Sequence, residues 1–254
     1  MLIAITRGVS PVLDRCELTH LARTPIDVDL ARRQHDAYER CLAVAGCTVK
    51  RLAPGEDMPD CVFVEDAAVV FDELAIVTRP GAASRRLETA AVADALSAFR
   101  LLQRIEPPGT VDGGDVLVAG RSVFVGRSER TNDEGIEQIR QLLTPHGYTT
   151  RAVEVTGCLH LKSAVTAIGD GRLLINPAWV RAADFKGCAL VEIDPAEPFA
   201  ANALRIGDGL IYSDAFPSTR RRLEKCGVRI ATVDMSETAK AEGGVTCCSL
   251  VFAA

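Results

Sequence analysis

A hairpin pattern recurs four times along this 254-residue chain, and it restricts the possible folds more than any other feature of the sequence. Each copy is an apolar run, a short turn rich in Gly, Asp or Glu, and a second apolar run, which is typical of a β-hairpin. The four copies are 67–71 with 74–77, 116–119 with 123–125, 164–168 with 173–175, and 203–206 with 210–212. An ordinary doubly wound α/β sheet would alternate single strands with helices, so the repetition favours a fold built from hairpin units.

Helical segments and further short strands accompany most of these hairpins. The clearest helix is predicted over 129–146, where apolar residues recur at helical spacing. Similar segments cover 84–99 and 219–226, and 31–45 supplies one ahead of the first hairpin. The repeating unit is therefore strand, strand, helix, strand.

The two ends of the chain complete the repeat. The apolar runs 2–6 and 247–252 would form a fifth hairpin if they paired, and the pairing would remove exposed strand edges. We therefore predict an α/β fold, a five-bladed α/β propeller with pseudo-fivefold symmetry. It forms a single domain over 1–254, with the N- and C-terminal strands closing the ring. The irregular stretch 8–28 is long for a connection, and we expect a lid loop there.

One polar residue stands at or beside the start of each predicted hairpin: Asp66, Asp112, His160, Asn202 and Cys247. They follow one another at intervals of 46, 48, 42 and 45 residues, so a closed ring would bring them towards one axis. A cysteine, a histidine and a carboxylate in one pocket suit nucleophilic catalysis: the thiolate attacks, the histidine moves protons, and the carboxylate fixes the imidazole tautomer. We expect Asn202, in contrast, to make a structural hydrogen bond.

Several acidic side chains in the same region indicate a cationic ligand. They are Asp60, Glu65, Asp66 and Asp112. Carboxylates packed together repel one another unless a cation lies among them, and the planar guanidinium group matches them in bidentate geometry. Arg85 and Arg130, each just beyond a hairpin, would meet an opposite charge at the far end of the ligand. We therefore expect a small guanidino amino acid as substrate.

Composition excludes several other partners. The 29 basic and 34 acidic residues give a net charge of −5, which argues against nucleic acid as a partner. No apolar run reaches the length of a membrane span, so we expect no membrane association. The nine cysteines are scattered without a C-x-x-C pair, and the four histidines form no metal-binding array. We expect a cytoplasmic protein that needs neither metal nor cofactor.

Five motifs resemble those of one enzyme family. They are FVED at 63–66, VDGGD at 111–115, SERTN at 128–132, LHLK at 159–162 and GGVTCCS at 243–249. In this order and at these intervals they resemble the motif series of the dimethylarginine dimethylaminohydrolases. That family belongs to a guanidine-modifying superfamily with the arginine deiminases and amidinotransferases. The resemblance extends over nearly the whole chain.

The resemblance implies an activity and a set of site residues. The activity is hydrolysis of Nω-methylated arginine (asymmetric dimethylarginine or monomethylarginine) to citrulline and dimethylamine or methylamine, through a covalent thiouronium intermediate. Cys247 would be the nucleophile, His160 the general acid and base, and Asp112 the carboxylate that supports catalysis. The implied substrate contacts are Leu18 on the lid and the main chain of Ala241. Asp60, Glu65 and Asp66 would hold the polar groups of the substrate, and Arg85 and Arg130 would bind its α-carboxylate.

Two alternatives remain open on the sequence. The same residues would serve an arginine deiminase or an amidinotransferase acting on another guanidino compound, although no segment resembles the extra helical insertion of the deiminases. A guanidino-ligand binding protein without catalysis is the other alternative, and the joint presence of Cys247, His160 and Asp112 argues against it. A homodimer is also left open as the state of assembly.

Overall fold

Five three-stranded sheets with helices between their strands make up the computed structural model, which describes all residues 1–254. The strands are β1 (Leu2–Arg7), β2 (Cys47–Leu52), β3 (Ala68–Val70), β4 (Leu74–Val77), β5 (Leu101–Arg104), β6 (Val116–Ala119), β7 (Ser122–Arg127), β8 (Thr149–Glu154), β9 (Val165–Gly169), β10 (Arg172–Ile175), β11 (Ala189–Glu192), β12 (Ala203–Ile206), β13 (Gly209–Ser213), β14 (Arg229–Val233) and β15 (Leu250–Ala253). The helices are α1 (Val28–Val44), α2 (Thr89–Ser97), α3 (Asp133–Leu143), α4 (Leu161–Ala164), α5 (Pro217–Lys225) and α6 (Ser236–Ala239). The fold is therefore α/β, as predicted.

All five sheets share one topology. Their orders are β15-β1-β2, β3-β4-β5, β6-β7-β8, β9-β10-β11 and β12-β13-β14. In each sheet the first strand runs antiparallel to the middle strand, and the middle strand runs parallel to the third. A helix connects the middle and third strands in four sheets, whereas β10 and β11 are joined through a short 3-10 turn at Ala182–Asp184. The predicted strand, strand, helix, strand unit is confirmed in four copies.

The two ends of the chain pair as predicted. β1 lies antiparallel to β15, with Leu2 opposite Ala253 and Ile5 opposite Leu250. The predicted start of the C-terminal strand at residue 247 is wrong, because β15 begins only at Leu250. Cys247 lies in a turn, where its N–H donates to the carbonyl of Gly244 at 3.2 Å. This local bond takes the cysteine out of the strand ladder.

Side-chain caps define the starts of the two longest helices. The carboxylate of Asp27 accepts the N–H of Leu30, and the amide oxygen of Asn132 accepts the N–H of Gly135. The helix predicted from residue 129 therefore begins only at Asp133, since residues 128–132 form a separate loop ahead of the cap. The segment predicted from residue 84 also begins differently, with a 3-10 stretch over Ala83–Glu88 before α2.

Apolar side chains pack in clusters that join neighbouring sheets. One cluster contains Ile3 of β1, Ala75 of β4 and Leu250 of β15, all buried. Burial of a leucine or isoleucine side chain contributes about 1.5–3 kcal/mol, so the contacts of Ile3 and Leu250 help to hold the sheets in place. Leu13 and Cys16 are completely buried in another cluster. The first half of the stretch 8–28 is thus anchored in the core.

The first strands of all five sheets line one cavity of about 230 Å³. Val69, Leu117, Thr166, Leu204 and Val251 contribute to its wall, one from each of β3, β6, β9, β12 and β15. The five first strands are therefore arranged around one cavity, and the polar residues that precede them lie at the starts of these strands. None of the helices is both long and apolar enough to span a membrane.

Candidate active site

Three of the polar residues that precede the hairpins form a buried cluster. His160 Nε2 lies 3.1 Å from Asp112 Oδ2, and His160 Nδ1 lies 3.7 Å from Asp66 Oδ1. All three side chains are buried, and each precedes the first strand of a different sheet. The predicted convergence of these residues is confirmed by the geometry, and the imidazole lies between two carboxylates.

Two glycines allow this close approach. A Cβ on Gly114 would lie 2.6 Å from His160 Nδ1 and 2.8 Å from Asp66 Oδ1, and a Cβ on Gly113 would lie 1.9 Å from the carbonyl oxygen of Glu65. No side chain fits at these distances. The N–H of Gly114 donates to Asp66 Oδ1 at 3.0 Å, so the glycine backbone also helps to hold that carboxylate.

The catalytic candidates Asp112 and His160 are each held from outside the cluster. Asp112 Oδ1 accepts the N–H of Gly81 at 2.9 Å, which leaves Oδ2 for the imidazole. The chain just after His160 is fixed by Asp115, whose carboxylate accepts the N–H of Leu161 and the hydroxyl of Thr131. Burial raises the pKa of Asp115 to about 6 although these bonds lower it.

Charge pairing decides the protonation state of the cluster. Burial alone would lower the pKa of His160, but Asp66 and Asp112 raise it to about 9. Burial alone would raise the pKa of Asp66, but His160 and Arg85 lower it to about 2. At neutral pH the histidine is therefore an imidazolium and Asp66 a carboxylate, so His160 is ready to donate a proton.

Cys247 lies at the edge of a small cavity and its thiol is protonated. Its Sγ accepts the N–H of Gly244 at 3.3 Å. Burial, followed by the carboxylates of Glu65 and Asp66, raises the pKa of the thiol to about 12. A bound cation would offset those carboxylates and favour the thiolate. The site is therefore suited to a nucleophile that becomes reactive when a cationic ligand binds.

Arg85 supplies one of the cations that the carboxylates require. Its buried guanidinium donates to Asp66 Oδ2 at 2.6 Å and to Glu88 Oε2 at 2.8 Å. The same Nη2 also lies 3.3 Å from the carbonyls of Asp60 and Phe63. Arg85 thus borders the cavity with most of its donors already engaged.

Arg130 is placed differently. It makes no ion pair, and its Nη2 donates to the hydroxyl of Thr19 at 3.0 Å. Its side chain is nearly buried beside the cavity, and no carboxylate lies within ion-pair distance of its guanidinium. A ligand carboxylate would be stabilised there.

The cavity brings six of the predicted site residues together. Its volume is about 20 Å³, and it is bordered by Asp60, Asp66, Arg85, Arg130, Ala241 and Cys247. Asp60 is buried, which raises the pKa of its carboxyl, and its Oδ2 accepts the N–H of Glu17 at 3.1 Å. Leu18 packs with the same apolar cluster as Ala241 and Cys247.

Glu65 is placed on a different side from the other predicted contacts. It borders the cavity between the five sheets and not the one beside Cys247. Its Oε1 lies 2.5 Å from Lys162 Nζ, and its Oε2 accepts the hydroxyl of Thr246 at 2.7 Å. The backbone N–H of Glu65 donates to the carbonyl of Cys247 at 3.1 Å. Glu65 therefore holds the turn that carries the cysteine.

Sequence reasoning missed several residues that shape the site. Lys162 and Thr246 stand inside quoted motifs, but no spacing marks them as partners of Glu65. Glu242 was also missed. It borders the cavity together with its sequence neighbours Ala241 and Gly243. The structural hydrogen bond expected of Asn202 is confirmed, since its side chain bonds both the hydroxyl and the N–H of Thr246.

A metal ion would have to displace a proton from the buried cluster. Ligand atoms of Asp66, Asp112 and His160 lie within 4.8 Å of one another, and they are donor types that divalent metals accept. With a pKa of about 9, however, the imidazole is protonated at neutral pH and has no lone pair to offer. The absence of a metal and of a cofactor remains a prediction.

Five repeated sheets carry a cysteine and carboxylates around one cavity, with a buried imidazolium paired to one of those carboxylates. These are the features of the guanidine-modifying hydrolases. A family model described as N,N dimethylarginine dimethylhydrolase, eukaryotic, matches residues 22–186. A dimethylarginine dimethylaminohydrolase of Streptomyces coelicolor is 39% identical over 97% of this chain and 95% of its own. This chain belongs to the dimethylarginine dimethylaminohydrolase family.

Solved structures agree with this assignment. The dimethylarginine dimethylaminohydrolase of Pseudomonas aeruginosa, as a cysteine-to-serine mutant complexed with citrulline, superposes with a TM-score of 0.93 at 35% identity, covering 98% of each chain. An adduct of a dimethylarginine dimethylaminohydrolase with S-methyl-L-thiocitrulline superposes with the same TM-score and identity, covering 99% of this chain and 100% of that chain.

Proposed function

We propose that this chain hydrolyses Nω-methylated arginine to citrulline and methylamine or dimethylamine. The observation that carries the proposal is the buried imidazolium of His160, which is paired with Asp112 and with Asp66. Asp66 borders the same cavity as Cys247 and the unpaired Arg130. Membership of the family and the citrulline bound to the Pseudomonas aeruginosa relative support the same substrate.

Binding would activate the nucleophile. The substrate guanidinium is a cation that enters a site containing Asp60 and Asp66, and its charge offsets the carboxylates that raise the pKa of Cys247. The thiol then loses its proton to solvent. Its sulfur forms a bond to the guanidinium carbon, giving a tetrahedral adduct.

His160 would move the next two protons. Because Asp112 holds Nε2, Nδ1 is the ring nitrogen left for proton transfer. The imidazolium gives a proton to the methylated nitrogen, the C–N bond breaks, and the amine leaves with a thiouronium cation remaining on Cys247. The neutral imidazole then takes a proton from water, and the hydroxide attacks the thiouronium carbon. The C–S bond breaks as the O–H proton passes to the departing sulfur, which releases citrulline and restores the thiol of Cys247.

The other end of the substrate would bind at Arg130. This residue is the guanidinium beside the cavity without a carboxylate partner, so it is available for the α-carboxylate. Arg85, predicted for the same role, has its donors engaged by Asp66, Glu88 and two carbonyls. We assign Arg85 the role of orienting Asp66. It would bind the α-carboxylate of the substrate only if it gave up one of those hydrogen bonds.

We also propose that the five sheets form a five-bladed propeller with pseudo-fivefold symmetry in a single domain over 1–254. The shared topology, the cavity common to the five first strands and the pairing of β1 with β15 support this arrangement. The stretch 8–28 would act as the lid, because Leu18 packs against the same apolar cluster as Cys247 while residues 22–25 are exposed.

Turnover of asymmetric dimethylarginine by the purified protein tests the proposal. We expect citrulline and dimethylamine in equal amounts, and no product from the Cys247→Ser variant. Release of ammonia from unmethylated arginine in preference to dimethylamine would assign the chain to the deiminases instead. Binding of methylarginine without any product would show a guanidino-ligand binding protein.

A further inference from the structure

The carboxylate of Glu242 binds three successive backbone groups from the opposite end of the chain. Its Oε2 accepts the N–H of Thr19 at 2.9 Å, and its Oε1 accepts those of His20 at 2.6 Å and Leu21 at 2.7 Å. Glu242 itself lies five residues ahead of Cys247, after α6. One side chain therefore joins the stretch 8–28 to the turn that carries the cysteine.

The backbone of Glu242 is strained. Its φ is +60°, in the left-handed region where glutamate is uncommon, although two glycines follow it directly. Residues held in this region persist when surrounding contacts fix them, and such residues cluster at ligand clamps and switches. The N–H of Glu242 donates to the carbonyl of Ala239 at 3.1 Å and the N–H of Gly243 to that of Thr238 at 2.9 Å, so the end of α6 fixes this backbone. The three bonds from residues 19–21 fix the side chain that this backbone presents.

The same part of the lid covers two predicted substrate contacts. The N–H of Glu17 donates to Asp60, and the hydroxyl of Thr19 accepts from Arg130. The covered cavity of about 20 Å³ has room for roughly one water molecule, so an amino acid cannot enter until the lid moves. Each opening must break the three bonds to Glu242.

We infer that Glu242 is a positioning residue that fastens residues 17–21 over the cavity and thereby sets how often the site opens. Hydrogen bonds to an ionised carboxylate are stronger than neutral ones, so three of them make the main polar attachment of this segment. The expected effect on turnover rests on the proposed function. The attachment of residues 19–21 to Glu242 does not, because it can be measured without substrate.

Amide hydrogen exchange of the ligand-free protein tests the attachment. We compare wild type, Glu242→Gln, and the control Glu224→Gln, which removes an exposed acid on α5. We expect the amides of Thr19, His20 and Leu21 to exchange at least about tenfold faster in Glu242→Gln, with the amides of β7 unchanged. Unchanged exchange at residues 19–21, or equal acceleration in the control, would overturn the inference.

A second variant is needed if Glu242→Gln also accelerates amide exchange in β7, because that result would indicate general destabilisation. Glu242→Asp keeps the charge and suits the left-handed backbone better, but its shorter side chain cannot reach all three N–H groups. Faster exchange confined to residues 19–21 in this variant supports the attachment. Normal exchange there contradicts it.

Steady-state kinetics then separate positioning from chemistry. We expect Glu242→Gln to raise KM for asymmetric dimethylarginine about fivefold or more while kcat changes less than about threefold, because the lid closes less firmly over the bound ligand. A large fall in kcat at unchanged KM would contradict the assigned role. If no methylarginine is turned over at all, the exchange experiment still decides whether Glu242 holds the lid.

Discussion

His160 Nε2 lies 3.1 Å from Asp112 Oδ2, and the two residues precede the first strands of different sheets. No local segment contains both groups, so their geometry depends on how β6 and β9 pack together. Both side chains are buried, which keeps water from competing for the bond. The protonation of His160 is thus a property of the packed sheets.

Replacement of Asp112 by Asn should reduce kcat by about 10²–10⁴, because the imidazole loses the carboxylate that fixes its tautomer and raises its pKa. Citrulline formation measures the effect. Asp133→Asn, at an exposed ion pair with Arg127, serves as the control and should retain activity. A Asp112→Asn variant with normal kcat would exclude Asp112 from catalysis.

Gly114→Ala should impair the site more than the fold. The new Cβ would lie 2.6 Å from His160 Nδ1, so the imidazole must move, and we expect at least about a hundredfold loss of kcat/KM. Gly209→Ala is the matched control, because its Cβ would have no neighbour closer than 3.4 Å. Equal activity of the two variants would show that His160 tolerates displacement.

The stability of the protein should depend on pH through His160. Its pKa in the folded state, about 9, lies above the ordinary value of 6.5, so the imidazolium stabilises the fold below pH 6.5. This contribution, about 3 kcal/mol at most, is lost as the pH rises through 9. Denaturant unfolding of wild type and His160→Gln between about pH 6 and pH 10 should show a difference that shrinks with pH. A constant difference would contradict the pairing.

Loss of Arg85 should destabilise the protein strongly. Arg85→Ala leaves Asp66 and Glu88 as buried carboxylates without their cation, and we expect a fall of about 3–5 kcal/mol in the free energy of unfolding. Arg181→Ala removes an exposed pair with Asp184 and should cost less than about 1 kcal/mol. Urea unfolding of both variants makes the comparison, and similar values for the two would argue against the buried pairing.

Cys247 should react slowly with alkylating reagents in the ligand-free protein. Its thiol pKa of about 12 leaves little thiolate at neutral pH, so the alkylation rate should climb steadily up to at least pH 10. Peptide mapping after iodoacetamide treatment distinguishes Cys247 from the other eight cysteines. A rate that levels off near pH 7 would show that the protein lowers the pKa without help from substrate.

The repeat made most of the fold predictable from the sequence. Hairpin patterning located eight strands, and the spacing of Asp66, Asp112 and His160 indicated that they converge. The residues at which strands begin and end were less predictable. Cys247 lies in a turn because its N–H donates to the carbonyl of Gly244, and hydrophobic patterning does not reveal this bond.

The partners of the charged side chains were harder to predict than the residues themselves. The carboxylates indicated a cation, but the sequence did not distinguish a ligand from Arg85, which the packing places against Asp66. Likewise Glu65 bonds Lys162 across 97 residues, and Glu242 bonds the lid across more than 220. Such contacts follow from tertiary packing, and one sequence contains no periodicity that marks them.

The pairing of β1 with β15 has a consequence for how the protein is made. Residues 2–5 pair with residues about 250 positions later in the sequence, so the ladder that supports the Cys247 turn can form only after all of those positions have been synthesised. Until then β1 exposes an unpaired edge to other nascent chains. Premature termination that removes β15 would therefore yield an aggregation-prone polypeptide and not merely a weaker catalyst.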